Sequence, residues 1–219
     1  TGIVSLSRHA KRHGSNCLGA DDTAGVSIMI SMIRQGIPGH YIFHYGEEHG
    51  GIGSSDLAQH GENWLEDAQI AIAFDRRGTG DIITSQAGQT TASDTFAWSV
   101  AEELARVNPL LAYTPTAGIY TDTVEYAGII SECSNLSVGY QFEHTTNECL
   151  DVWHVLRLLK AICRIDTSAL LIDRDPLAQD DLLSVWPARY TDWAEERDDD
   201  DASMYLSFYA SYLRELKGL

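Results

Sequence analysis

The sequence predicts an α/β domain with a mainly parallel central sheet and helices on both faces. Short apolar runs typical of strands alternate along the chain with longer segments whose apolar residues have helical spacing. A chain of 219 residues, 44% of them hydrophobic, is also long enough to bury one substantial core. Because strands of this kind alternate with helices in parallel sheets, we expect their carboxyl ends, and the functional side chains, at one edge.

The predicted elements follow one another from the N-terminus to about residue 165. In order they are a strand at Gly2–Ser7, a helix at Ala24–Gly36, a strand at His40–Tyr45, a helix over 54–67, a strand at Ala68–Asp75, a helix at Ser93–Val107, a short strand over 131–139 and a helix at Leu150–Ile165. Apolar residues recurring every three or four positions indicate the helices. Short apolar and aromatic runs indicate the strands.

The chain divides, by this interpretation, into two parts. Residues 1–165 form the main domain, and residues 166–219 form an acidic C-terminal segment. The acids of that segment are typical of a solvated loop followed by a helix start. Its last stretch, over 203–219, is amphipathic and predicts a terminal helix that packs on the same domain.

Charge and composition exclude several classes of protein. A formal net charge of −17 and a pI near 4.6 argue against a nucleic-acid partner, because binding phosphates requires clustered Lys and Arg. The sequence contains no apolar run long enough to cross a membrane. Its four cysteines lack metal-binding or disulfide-framework spacing, which is typical of reduced thiols. We therefore expect a soluble, cytoplasmic protein.

Four clusters of acids and histidines follow the predicted strands or lie in the loops after them. They are Leu18–Gly25, Gly46–Gly51, Ala73–Gly78 and Phe142–Glu148. Each cluster alone has an ordinary structural explanation, such as a helix cap, an ion pair or a core histidine. Brought together at one sheet edge, however, the acids would repel one another without a compensating cation. Carboxylates mixed with imidazole favour zinc, and two zinc ions with a bridging carboxylate would form a hydrolytic site.

In this order the motifs LGADDTAGV, GEEHGGIGS, AFDRRG and NLSVGYQFEHTTNE resemble those of the co-catalytic zinc exopeptidases. This family includes zinc aminopeptidases and related carboxypeptidases and deacylases. The resemblance covers about Gly2 to Ile165 and implies a phosphorylase/hydrolase-like fold that holds two Zn²⁺ per chain. Many carboxypeptidases and deacylases insert a dimerisation domain between the last two motifs. Here 68 residues separate Asp75 from His144, which favours the single-domain, aminopeptidase-like type.

The resemblance also implies a role for each matching residue. Asp21 would bridge the two metals, and Glu48 and His144 would bind the first of them. Asp75 would bind the second metal. Glu47 would be the general base that takes a proton from the attacking water.

The family has one more ligand, a His two residues before an Asp at the end of an early strand. His9 has the expected place after the first strand, but Lys11 stands where the Asp should be. Two explanations remain open. Either residues are missing from this sequence after about Ala10, in which case His9 is the ligand, or the motif is lost and the second metal site is crippled. We favour the first, with His13 as the reserve candidate.

The resemblance implies hydrolysis of a peptide or other amide bond near a chain terminus, with a small peptide or an N-acyl amino acid as substrate. The incomplete motif near His9 keeps an alternative open, a non-catalytic or single-metal relative with a binding or structural role. A phosphate- or nucleotide-binding domain is a third hypothesis, but the glycine-rich stretches match neither a P-loop nor a dinucleotide fingerprint. The oligomeric state is left open.

Overall fold

A computed structural model describes residues 3–5, 17–61 and 64–177. The helices are α1 (Ala20–Arg34), α2 (Ile52–His60), α3 (Trp64–Asp67), α4 (Asp94–Val107) and α5 (Val152–Ile162). The strands are β1 (Ile3–Ser5), β2 (Ile70–Arg76), β3 (Asp81–Gln86), β4 (Gln89–Thr90), β5 (Thr114–Ala117), β6 (Glu132–Ser137), β7 (Tyr140–Gln141) and β8 (Cys149–Asp151). Helices and strands are thus interspersed along the chain, and the α/β class is confirmed.

The central sheet is mixed and mainly parallel, as the sequence predicts. Its strands have the order β2-β6-β3-β4, and β5 pairs with the other side of β3. The two longest ladders, β2 with β6 and β3 with β5, are parallel. β3 pairs antiparallel with β4 and, through one residue pair, with β6. A smaller antiparallel sheet has the order β1-β8-β7.

Helices cover both faces of the central sheet. Side chains along a strand alternate between faces, and in β2 Phe74 packs into one hydrophobic cluster while Ala71 packs into another. The larger cluster contains apolar residues of α1, α4 and α5, including Ile28 and Phe96, both fully buried. The smaller cluster is covered by α2 and α3, and Leu65 of α3 is one of its buried members. The predicted arrangement of helices on both faces is therefore confirmed.

The strand predicted at His40–Tyr45 is wrong. In the described part of the chain these residues have no strand structure. A strand needs a neighbour for its backbone groups, and β2, at the end of the central sheet, is paired with β6 alone among the described strands. The aromatic run instead serves side-chain contacts: the Tyr41 hydroxyl donates to the carbonyl of Ile37, and Phe43 is 48% exposed.

The helix predicted over 54–67 is two helices, α2 and α3. Gly61 ends α2 in an extended conformation. A Cβ on Gly61 would lie 2.0 Å from the carbonyl oxygen of Leu57, so the chain turns where only glycine fits. Within the described ranges, no helix has both the length and the apolar character needed to cross a membrane.

The described end of the chain, residues 166–177, is held against the domain by a buried carboxylate. Glu132, fully buried at the start of β6, accepts hydrogen bonds from Ser93 N (2.6 Å) and Ser93 Oγ (2.9 Å). It also accepts from Asp173 N (2.8 Å) and Arg174 N (3.0 Å). The predicted terminal helix over 203–219 lies outside the described residues, so the division at residue 165 stays a prediction.

Replacing Glu132 with Gln should lower the free energy of unfolding by about 2–3 kcal/mol, because an amide offers one acceptor oxygen to four donors. Urea unfolding at neutral pH measures the change. The matched control is Glu102→Gln on the exposed side of α4, which should leave stability almost unchanged. Equal unfolding free energies for the two variants would contradict the role assigned to Glu132.

Candidate metal centre

Three of the predicted ligands lie together at the surface. Asp21 is at the start of α1, Glu48 is in a short 3-10 helix and His144 is in the loop between β7 and β8. The Nε2 atom of His144 is 3.0 Å from Glu48 Oε1 and 3.1 Å from Asp21 Oδ2. The ligand atoms of all three residues lie within 4.8 Å of one another. One metal ion can therefore be held by this group.

Glycines place the two neighbouring glutamates in a turn. The 3-10 helix Glu47–His49 lies between Gly46, with φ of 72°, and Gly50, with φ of 87°. Glycine adopts this left-handed conformation without steric cost. The Glu47 carbonyl accepts from Gly50 N at 2.9 Å and from Gly51 N at 3.0 Å, which closes the turn. Because the strand pleat is absent here, adjacent side chains need not point to opposite sides.

Asp75, the predicted ligand of the second metal, lies near the end of β2. Its carboxylate accepts hydrogen bonds from the hydroxyls of Thr121 and Tyr140, each at 3.2 Å. Its backbone N and O are both bonded to the side-chain amide of Asn135. The carboxyl groups of Asp75 and Asp21 are also close enough for each to affect the pKa of the other. The structure thus brings these two acids together, next to the first group of ligands.

The second metal site is only partly visible, since His9 and the reserve candidate His13 lie outside the described residues. Asp21 and Asp75 are the two predicted ligands of that site that the structure places. Whether His9 completes it stays a prediction.

The electrostatics of the site call for a positive charge. Burial raises the pKa of Asp21 and Asp75, and the proximity of other carboxyls adds to both shifts. Burial also raises the pKa of Glu47 to about 8, with a further contribution from the charge of Glu48. Acids that resist ionisation in this way are stabilised as carboxylates by a nearby cation. Oxygen and imidazole nitrogen donors at this spacing fit zinc.

These raised pKa values predict that the metal-free protein loses stability as the pH rises. Glu47 and Asp22 have a pKa of about 8 in the folded chain, and such carboxyls titrate at about pH 4 in an unfolded chain. Between these values the folded state holds protons that the unfolded state has released, so the free energy of unfolding falls with increasing pH.

Thermal unfolding in the presence of a chelator, at about pH 5 and about pH 8, tests this expectation. The melting temperature should be several degrees lower at the higher pH, and saturating zinc should reverse most of the loss. A chelated protein that melts higher at about pH 8 would contradict it.

Sequence reasoning missed several groups that support the site. Glu148 accepts hydrogen bonds from Gly19 N and Asp21 N, and Thr121, Tyr140 and Asn135 hold Asp75. Such partners come from distant parts of the chain and have no spacing pattern of their own. Glu148 could still have been singled out, because it lies four residues after His144 in the same motif.

Asp122 and Tyr126 precede the last motif, and Asp122 lies near Glu47. Asp122 has a buried oxygen, Oδ1, without a hydrogen-bond partner among the described residues, and its charge helps to raise the pKa of Glu47. Tyr126 is 3% exposed, belongs to the smaller core cluster and shares a 2.6 Å hydrogen bond with Nε2 of His44. Tyr126 is therefore a core residue that fixes the segment leading to the glutamates.

Comparison with solved structures identifies proteins with a similar fold. PhTET1-12s, solved as a dodecamer in the asymmetric unit, has a TM-score of 0.51 and 24% identity over 68% of this chain and 49% of its own. The aminopeptidase PepT from Bacillus cereus ATCC 10987 has a TM-score of 0.51 and 18% identity over 74% of this chain and 73% of its own. No protein-family model and no curated protein matches the chain. The chain thus shares the fold of these proteins and spans about half the length of PhTET1-12s.

Proposed function

We propose that the protein is a zinc-dependent hydrolase of the aminopeptidase-like type, which cleaves a peptide or other amide bond near a chain terminus. The convergence of Asp21, Glu48 and His144 within 4.8 Å, beside Glu47, carries the proposal. The fold shared with the aminopeptidase PepT supports it. Small peptides and N-acyl amino acids are the substrates we expect, and a cytoplasmic location remains part of the proposal.

The residues present suit two zinc ions. Asp21, Glu48 and His144 would hold the first, and Asp21 and Asp75, completed by His9, would hold the second. When bound, zinc supplies Lewis-acid chemistry, because it makes water more acidic and polarises a scissile carbonyl group. Thr121 and Tyr140 would orient Asp75 through their hydroxyls, since both donate to its carboxylate.

Glu47 would move the proton. It lies directly beside the ligand Glu48 in the same turn, and its carboxyl is more sheltered from solvent than that of Glu48, which is 50% exposed. A carboxylate oxygen of Glu47 would accept a proton from the attacking water and then donate it to the leaving nitrogen. Burial raises the pKa of Glu47 in the metal-free site, and bound zinc would lower it, so that the carboxylate can accept a proton near neutral pH.

A second function remains in view because Lys11 stands in place of the family's acid after His9. A relative that has lost the second metal site would bind one zinc ion, or none, and serve as a binding or structural protein. In that case Glu48, Asp21 and His144 would still hold a single ion.

Zinc stoichiometry and zinc-dependent hydrolysis decide between the two functions. We expect about two zinc ions per chain after dialysis against zinc, measured by elemental analysis, together with hydrolysis of aminoacyl or N-acyl amide substrates. A chelator should remove the activity and added zinc should restore it. Two bound ions without any such hydrolysis would contradict the proposed enzyme. One ion or none would favour the second function.

A further inference from the structure

A buried carboxylate supports the metal centre from behind. Glu148 is 1% exposed and uses both oxygens: Oε2 accepts from Gly19 N at 2.9 Å, and Oε1 accepts from Asp21 N at 3.0 Å. We propose that Glu148 is a positioning residue of the site, which fixes the backbone of Asp21 so that the Asp21 carboxylate faces His144. This inference rests on the proposed zinc function.

The start of α1 needs such a partner. The first backbone N–H groups of a helix have no acceptor within the helix, and a side chain before the helix usually supplies one. Here the preceding residue is Gly19, which has no side chain and adopts φ of 75°. Asp21 itself is not helical, with φ of −85° and ψ of 106°. Asp22 Oδ1 accepts from Gly25 N at 3.0 Å and so caps the regular part of the helix. Glu148 supplies from a distant loop the acceptor for the N–H groups of Gly19 and Asp21.

The same loop also carries a predicted metal ligand. His144 and Glu148 are four residues apart, and the loop is closed by hydrogen bonds from Glu148 N to Thr145 O and from Thr145 Oγ1 to Phe142 O. His144 contacts the side chain of Asp21 at 3.1 Å, while Glu148 holds its backbone. One short loop thus fixes both the orientation of Asp21 and the place of the imidazole beside it.

Glu148 acts on the metal through Asp21. Both of its oxygens are bound to backbone N–H groups, and it does not belong to the described side chains whose ligand atoms converge. Groups that orient a metal ligand from behind typically contribute 10- to 100-fold, roughly, to metal affinity. Loss of Glu148 should therefore weaken zinc binding without removing any ligand.

The chain offers a matched control in Glu132. This residue is also a fully buried carboxylate that accepts backbone N–H groups, those of Ser93, Asp173 and Arg174. It pairs in register with Ile70 at the start of β2, whereas Asp75 lies near the other end of that strand. Glu132→Gln thus disrupts hydrogen bonds of the same kind as Glu148→Gln does, but at a place distant from the metal centre.

The test compares the zinc affinities of wild type, Glu148→Gln and Glu132→Gln by competition with a chromophoric chelator. Glu148→Gln should bind zinc about 10- to 100-fold more weakly than wild type, whereas Glu132→Gln should keep the wild-type affinity although its melting temperature falls. Wild-type affinity in Glu148→Gln, or equal losses in both variants, would overturn the inference. A wild-type protein that binds no zinc would instead overturn the proposed function.

A second variant covers failure of Glu148→Gln to fold. Glu148→Asp keeps the charge but is one methylene shorter, so it cannot reach both N–H groups at the present distances. It should also weaken zinc binding, by a smaller factor than the amide. Wild-type zinc affinity in Glu148→Asp would overturn the inference. The absorption spectrum of the cobalt-substituted protein gives a second readout, because it changes with the geometry of the ligands and should shift in Glu148→Asp.

Discussion

Replacing Glu47 with Gln should abolish most of the hydrolysis and leave the bound zinc in place. In the proposed function Glu48 binds a metal ion, whereas the neighbouring Glu47 does not. An amide of the same size cannot take the proton, and loss of an acid–base group costs about 10²- to 10⁴-fold in kcat. Steady-state kinetics and elemental analysis on the same preparation measure both quantities.

Two further variants serve as comparisons for Glu47→Gln. Glu48→Gln, one residue further on, should weaken zinc binding at the first site, because Glu48 Oε1 belongs to the converging group. Glu66→Gln, exposed on α3, should change neither activity nor zinc content. Wild-type kcat in Glu47→Gln would show that another group moves the proton.

Replacing Asp21 with Ala should release both zinc ions, the largest effect on metal content that we expect from a single substitution. Its carboxylate lies beside His144 on one side and beside Asp75 on the other. Loss of a shared ligand therefore weakens two sites, whereas His144→Ala should weaken only the first. Elemental analysis after gel filtration measures the metal that remains.

The control for Asp21→Ala is Asp56→Ala, an exposed acid of α2 that pairs only with His60 in the described contacts. This variant should retain two zinc ions. If Asp21→Ala retained one ion while His144→Ala lost two, the shared ligand would be His144 and the assignment of Asp21 would be wrong.

The sequence predicts the convergence of Asp21, Glu48 and His144 better than it predicts the strands around them. The three residues lie next to regular elements, and this placement brings Asp21, Glu48 and His144 together. Their residue types alone indicate metal binding. Gly46 and Gly50 likewise indicate the turn that presents the glutamates, since few other residues tolerate positive φ. Local features of this kind can be predicted without knowing the rest of the fold.

Strand pairing is harder to predict because it depends on neighbours. The run at His40–Tyr45 has the aromatic composition of a strand but no ladder partner among the described residues. The hairpin of β3 and β4 was missed because its turn carries a weak sequence signal. Its two turn residues, Ala87 and Gly88, both have positive φ, but Ala-Gly is a weaker hairpin signal than Asn-Gly or Asp-Gly.

Buried carboxylates that accept backbone hydrogen bonds cannot be predicted from the sequence. Glu132 and Glu148 are both among the largest fully buried side chains, yet a glutamate is usually exposed. Each is stabilised by backbone N–H groups more than 35 positions away in the chain. Such contacts exist only after the tertiary structure has formed, so neither composition nor periodicity indicates them.

The pairing of β1 with β8 determines when during synthesis the domain can be completed. Ile3 lies opposite Asp151 in this ladder, so β1 has no strand partner until the ribosome has made Asp151. The loop with His144 and Glu148 emerges immediately before β8. The N-terminal strand and the metal centre should therefore form together and late, and nascent chains that stop before Asp151 should neither capture zinc nor resist proteolysis.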